Sequence, residues 1–263
     1  MGMTGLHKSQ DDLQAAQVLF IHGAGSSADF WHWQRSAVPQ GHYVHLPGHG
    51  RGAKGDPEWQ NGEPRTLIAR YAAWVADYVE REHLSDVVLN GHSMGGAITL
   101  TLALKRPAWL RAIVLTGTGA RLRVSPHLLD LLRTDYPAAV DAIIESSFAP
   151  VSTPVNYAQK VRRNGTRRQM LKAPREVALA DYEACDSFDI MERVGEIRLP
   201  TLCILGDQDA MTPVKYSDYL HRSIRGSLLE VVEGAGHMLP LEKPDEYNRR
   251  LSDFVGALPQ QDR

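Results

Sequence analysis

The chain has 263 residues, 43% of them hydrophobic and 23% charged, enough length and apolar content to bury a sizeable core and to exclude wholesale disorder. Its 29 Lys and Arg against 31 Asp and Glu leave a formal charge of −2, which argues against the basic footprint of a nucleic-acid-binding domain. Two cysteines, Cys185 and Cys203, cannot build a disulfide framework and read as buried, reduced thiols.

Residues 1–17 are polar, with Lys8, Asp11 and Asp12, and lack the apolar run of a signal peptide. The chain has no stretch of about 18 apolar residues. The expectation is a cytoplasmic protein without stable membrane association.

Short, nearly continuous apolar runs predict strands at residues 18–22, 43–46, 87–90, 112–116, 201–205 and 228–232. Helical patterns fall between them. In residues 66–83, Leu67, Tyr71, Trp74, Val75, Tyr78 and Val79 share one stripe. Residues 95–105 follow the third strand and stop before Pro107. Residues 215–224 and 244–255 complete the set, with Pro244 suited to a first helical turn. This alternation predicts an α/β fold with a mostly parallel sheet of about six strands flanked by helices.

Residues 121–187 interrupt the alternation. Four helical pieces separated by prolines are predicted there, at 125–134, 137–147, 154–171 and 174–185. The expectation is one domain, with a core of about residues 18–120 and 188–258 and an inserted helical cap of about 121–187. Only about 17 mostly polar residues precede the first strand, so an antiparallel hairpin before it is expected to be absent or reduced.

The third strand runs into Gly91-His92-Ser93-Met94-Gly95-Gly96 and then a helix. A G-x-S-x-G sequence between strand and helix describes a sharp turn that exposes a serine hydroxyl. The helix N-terminus favours negative charge beside it. A serine needs a base, and the base an orienting acid. The fifth strand is followed by Gly206-Asp207-Gln208-Asp209, the last by Gly234-Ala235-Gly236-His237-Met238. Both segments lie just past strand C-termini, where open α/β sheets place ligands. Either Asp207 or Asp209 can serve as the acid on this reading.

With these residues in view the chain resembles the α/β-hydrolase superfamily, in its serine carboxylesterase and meta-cleavage-hydrolase-like branch with a helical cap. His22-Gly23-Ala24-Gly25 and Leu46-Pro47-Gly48-His49-Gly50 add to the resemblance, which spans about residues 18–255. It implies Ser93 as nucleophile, His237 as general base and Asp209 as acid, with Asp207 left as a solvated or turn-capping carboxylate. It implies an oxyanion hole from the backbone N–H groups of Ala24 and Met94. It implies hydrolysis of small to medium carboxylic esters through an acyl-enzyme.

Other chemistries reuse the same triad: C–C bond hydrolysis of ring-cleavage products, lactonase, thioesterase or perhydrolase activity, and ligand sensing without turnover. The C–C hydrolases commonly carry Trp after the catalytic His, where this chain has Met238. Trp31, Phe148 and Met238 are candidate pocket residues, and Trp33 shares with Trp31 the choice between bordering the pocket and bracing the loop. Leu128, Leu132, Ile143 and Ile144 are either acyl-pocket lining or cap core. His92 is expected to point away from Ser93. His42, His45 and His49 straddle a strand and a turn and read as structural. No HExxH or paired-cysteine pattern occurs, and neither metal nor cofactor is expected. The partner expected is a small-molecule ester, the chain being monomeric or homodimeric. A basic run, Lys160, Arg162, Arg163, Arg167, Arg168, Lys172 and Arg175, either attracts anions or is a solvated face neutralised by neighbouring acids.

Overall fold

A computed structural model of the chain describes residues 17–50, 59, 63–150 and 157–259. Six strands, β1 (Val18–Ile21), β2 (His42–Val44), β3 (Val87–His92), β4 (Leu110–Thr116), β5 (Thr201–Gly206) and β6 (Leu228–Val232), form one sheet in the order β2-β1-β3-β4-β5-β6. Every neighbouring pair is parallel. All six predicted strands are present. The third and fourth are longer than their apolar runs. Gly91 and His92 still pair with Leu115 and Thr116, so β3 carries its ladder up to Ser93. The segment before β1, where a hairpin is expected to be absent or reduced, lies outside the described residues.

Alternation along the strands divides the core between two faces. Leu19, Ile21, Leu89, Ile113, Leu115 and Cys203 point to one side, while Val18, Phe20, Val88, Val114, Leu202 and Ile204 point to the other. Both sets are buried to within 1% exposure, which is why these strands read as continuous apolar runs. The first face is covered by α1 (Pro64–Arg81), α2 (Met94–Lys105) and α7 (Val214–Ser223); the second is covered by a 3-10 turn (Ala28–Trp31), α8 (Leu239–Glu242) and α9 (Pro244–Gly256). α1 begins on Pro64 and buries Leu67, Ile68, Tyr71, Ala72, Val75 and Val79 along one stripe.

Between β4 and β5 lie four helices, α3 (Pro126–Thr134), α4 (Tyr136–Ser147), α5 (Tyr157–Met170) and α6 (Arg175–Ser187). The chain leaves and rejoins the sheet at one place. Arg121 bridges Asp189 in an antiparallel pair, Leu122 N–H donates to Phe188 O at 3.2 Å, and Ile190 N–H donates to Ala120 O at 2.8 Å. Leu132, Ile143, Ile144 and Phe148 are buried in the second core cluster. Much of the basic run is engaged internally: Arg167 with Asp141, Arg163 with Glu145, Arg162 with Glu242 O and Arg175 with Arg133 O. Cys185 and Cys203 are buried free thiols, and burial pushes both up, Cys203 to about 12. Among the described residues no helix is long and apolar enough to cross a membrane.

Candidate active site

Four loops at the C-terminal end of the sheet converge: those after β1, β3, β5 and β6. They line a cavity that opens to solvent, with about 390 Å³ of empty space when the solvent at its mouth is included. Gly23, Ala24, Ser26, Phe30, His92, Ser93, Met211, His237 and Met238 come from these loops and their neighbours; Ser147, Thr166, Met170 and Tyr182 come from the inserted helices.

Ser93 sits between β3 and α2 with φ 54° and ψ −115°, a conformation that costs a non-glycine residue on the order of 1–3 kcal/mol. The surroundings hold it there. Ser93 N–H donates to Thr116 O at 2.9 Å, and Ser93 O accepts from Thr118 Oγ1 at 2.8 Å and Gly96 N–H at 2.9 Å. The turn is too tight for side chains on either flank. A Cβ at Gly91 would lie 2.2 Å from Gly95 O, and one at Gly95 would lie 2.3 Å from Ile21 O. Met94 is the first residue of α2, so the helix itself leaves its N–H unbonded, next in sequence to Ser93. Ala24, on the facing loop, lines the cavity.

His237 and Asp209 form a buried pair, with Nδ1 2.8 Å from Oδ2. A carboxylate only accepts, so Nδ1 carries the proton and Nε2 is left as an acceptor. Asp209 is itself fixed: Oδ1 accepts from the N–H groups of Met211 and Thr212 at 2.9 and 2.8 Å, and Oδ2 from Thr212 Oγ1 at 2.8 Å. Burial alone would raise this carboxyl, but the facing imidazole and the bonds from His237 and Thr212 outweigh it and hold Asp209 below the usual carboxylate range. Asp207, the other acidic candidate, instead accepts from Gly234 N–H at 2.7 Å and is exposed. It caps the turn after β6.

The backbone around His237 is clamped by groups that the sequence did not single out. Met238 N–H donates to Ser147 O at 3.1 Å. Glu242, only 9% exposed, accepts from Gly236 N–H and from Ala149 N–H, both at 2.9 Å, tying the histidine loop to the end of α4. Burial raises the Glu242 carboxyl despite those two donors. His92 Nε2 donates to His237 O at 3.0 Å. Thr212, Glu242 and Ser147 carry no motif; their roles come from contacts across the fold.

His92, beside Ser93 in the chain, also lines the cavity, stacked on Phe30 at 4.5 Å between ring centroids. Because its Nε2 is the donor, its buried Nδ1 is a bare acceptor without a partner among the described residues. Burial first, and then the neighbouring His237, lower its pKa to about 3. Unfolded, His92 takes up a proton near pH 6.5; folded, it resists until about 3. Between those values the unfolded chain holds the extra proton, so this group makes stability decline as pH falls through that window. The urea midpoint of wild type should therefore drop more steeply from pH 6.5 toward 4 than that of His92→Asn. Parallel curves for the two proteins would rule the assignment out.

Of the candidate pocket residues, Met238 lines the cavity. Trp31 and Phe148 do not. Trp31 is fully buried, packed against Phe20, Phe30 and Tyr247 at 5.0, 4.8 and 6.2 Å, so it braces the loop beneath Phe30 and His92. Phe148 is 3% exposed with the Arg163 guanidinium 5.6 Å over its ring. Trp33 is 43% exposed. His42 meets Tyr78, His45 accepts from Ala28 N–H and His49 pairs with Asp181. Among the described residues no three His, Cys, Asp or Glu side chains are grouped to hold a metal ion.

A model described as the alpha/beta hydrolase family matches residues 18–250. A pimeloyl-[acyl-carrier protein] methyl ester esterase of Neisseria meningitidis serogroup A is 25% identical over 260 residues, covering 91% of this chain and 76% of the relative. A putative carbamate hydrolase of Azorhizobium caulinodans is 28% identical over 253 residues, covering 92% of each. The solved structure of a thermophilic esterase superposes with a TM-score of 0.77 at 32% identity, over 92% of this chain and 90% of that one.

Proposed function

The chain belongs to the alpha/beta hydrolase family, and from that premise we propose that it is a serine carboxylesterase for esters with small to medium acyl chains. The observation that carries the reading is the 2.8 Å His237–Asp209 pair on the wall of the cavity that Ser93 also lines from its strained turn. The inserted helices α3–α6 act as a cap that closes over this cavity and sets specificity.

His237 Nε2 takes the hydroxyl proton of Ser93 as Oγ attacks the ester carbonyl. The tetrahedral oxyanion rests on the N–H groups of Ala24 and Met94, each donor being worth about 100- to 1000-fold in rate. The intermediate collapses, the C–O bond to the alcohol breaks and His237 returns the proton to the leaving oxygen. Water then gives a proton to His237 and attacks the acyl-enzyme; Ser93 leaves and recovers its proton. Asp209 keeps Nδ1 protonated throughout and stabilises the imidazolium.

The cavity beside Ser93 opens to solvent, and its roughly 390 Å³ of empty space includes part of that solvent. Its apolar wall of Phe30, Met170, Tyr182, Met211 and Met238 is broken by Ser26, Ser147 and Thr166, suiting a chain with a polar end. The names of the two relatives above, a methyl ester esterase and a carbamate hydrolase, point to substrates within reach of the same chemistry.

The test is a fluorophosphonate label with peptide mapping, run beside turnover of p-nitrophenyl esters of increasing acyl length and of a ring-cleavage dienoate. The adduct should map to Ser93 and turnover should peak at short to medium chains. An adduct elsewhere, or a folded protein that takes no label, would falsify the serine reading. Preference for the dienoate would make the chain a C–C hydrolase, and slow turnover with tight retention of ligand would make it a sensor.

A further inference from the structure

A second buried constellation lies behind the loop after β1, outside the reacting groups. Asp181, on α6, is fully buried. Its Oδ2 accepts from Gly25 N–H at 2.9 Å and from His49 Nε2 at 2.8 Å, and its Oδ1 accepts from Tyr71 OH at 3.1 Å. Three segments far apart in sequence thus meet on one carboxylate: the Gly23-Ala24-Gly25 loop, the turn after β2 and the middle of α1.

The histidine on that carboxylate is itself held from behind. His49 Nδ1 faces Pro47 O at 3.0 Å while Nε2 faces Asp181. An acceptor at each ring nitrogen favours the doubly protonated ring. Burial alone would lower the His49 pKa, but the Asp181 charge and hydrogen bond outweigh it and the value is raised. A buried ion pair of this kind is a weak source of stability and a strong source of fixed geometry, because an uncompensated partner is costly in any other arrangement.

The consequence falls on the loop. Ala24 N–H is the neighbour of the Gly25 N–H that Asp181 holds, and Ala178, one turn earlier on α6, stands 3.3 Å from where a Gly25 Cβ would be. One residue beyond Asp181, Tyr182 lines the cavity. The same helix therefore presents a ring to the substrate and a carboxylate to the loop. We propose that Asp181 is a positioning residue for ester hydrolysis, fixing the Ala24 N–H as an oxyanion donor through its bond to Gly25 and so making the loop geometry depend on the inserted helix α6. The inference rests on the reading of Ser93, Ala24 and Met94 given above.

Asp181→Ala removes the acceptor. It should lower kcat by about 10- to 100-fold, less than deletion of a donor, because the donor is misplaced and not lost. KM should stay within about three-fold, since the interaction acts mainly on the oxyanion of the transition state. Affinity for a trifluoromethyl ketone, whose adduct puts an oxyanion on the same donors, should fall with kcat. Asp181→Asn can still accept from Gly25 and should recover most of kcat.

Folding of each variant is read by circular dichroism. Should Asp181→Ala not fold, Asp181→Ser, whose oxygen falls short of Gly25, carries the same expectation. Fluorophosphonate labelling separates the two possible failures. If wild type takes no label at Ser93, the underlying site reading fails and this inference with it. If wild type is labelled but the folded Ala or Ser variant keeps kcat within three-fold, or Asn is as damaging as Ala, the positioning role alone is wrong.

Discussion

Replacing Ser93 by Ala is expected to lower ester turnover by about a million-fold, the loss typical when the nucleophile of a serine triad is removed, and to leave the fold intact. Both halves follow from the geometry. The bonds that hold the turn are made by the backbone, through Ser93 N–H to Thr116 O and through Ser93 O to Thr118 Oγ1 and Gly96 N–H, and Ala keeps all of them. It also keeps the Cβ, so the positive-φ strain is the same before and after. What disappears is the oxygen that, on the reading proposed above, attacks the ester. Pre-steady-state kinetics with a p-nitrophenyl ester should show a burst in wild type and none in the variant, with superimposable circular dichroism and melting curves. A variant that retains a burst, or more than about a thousandth of wild-type turnover, would mean that another group attacks.

Asp209→Asn is expected to cost about 10⁴-fold in kcat, and Asp207→Asn almost nothing. The two carboxylates are two residues apart in the chain and occupy different worlds. Asp209 is buried, accepts four hydrogen bonds and faces His237 Nδ1 at 2.8 Å. An amide there can turn its N–H toward Nδ1, which moves the imidazole proton to Nε2 and removes the acceptor that takes the Ser93 proton in the proposed mechanism. Asp207 sits in solvent and caps Gly234 N–H, a task its amide performs equally well. Substrate saturation curves for the two variants decide the matter: if Asp207→Asn is the damaging change, the acid assignment falls.

The strands and flanking helices were legible because each is written locally. Runs buried on both faces, such as Val18–Ile21 and Thr201–Gly206, need continuous apolar residues, and α1 needs an apolar stripe at helical spacing. The turn at Ser93 was legible for the same kind of reason, since glycine is imposed at positions 91 and 95 by contacts of 2.2 and 2.3 Å. Pocket lining was not. Trp31 follows the loop in sequence yet lies entirely in the core, and Leu132, Ile143 and Phe148 fill space under the inserted helices. The cavity wall comes instead from Thr166, Met170 and Tyr182, whose types and spacing distinguish them from no other helical residue. The contacts of His92 were not legible either. Position in the chain gave its neighbour but not the direction of its ring, which is set by stacking on Phe30 and by the bond to His237 O.

By itself the sequence determined the parallel sheet, the insertion between its fourth and fifth strands, and the identity of the serine, histidine and acidic candidates, all of which depend on residue types within a few positions of one another. Only the tertiary structure decided which aspartate faces the imidazole, which side chains wall the cavity, and that Asp181 reaches across 156 positions to Gly25. These are pairings between remote segments. Their partners are chosen by how helices pack on the sheet and by the need of each buried charge and N–H for a counterpart, and no local pattern of residues encodes that choice.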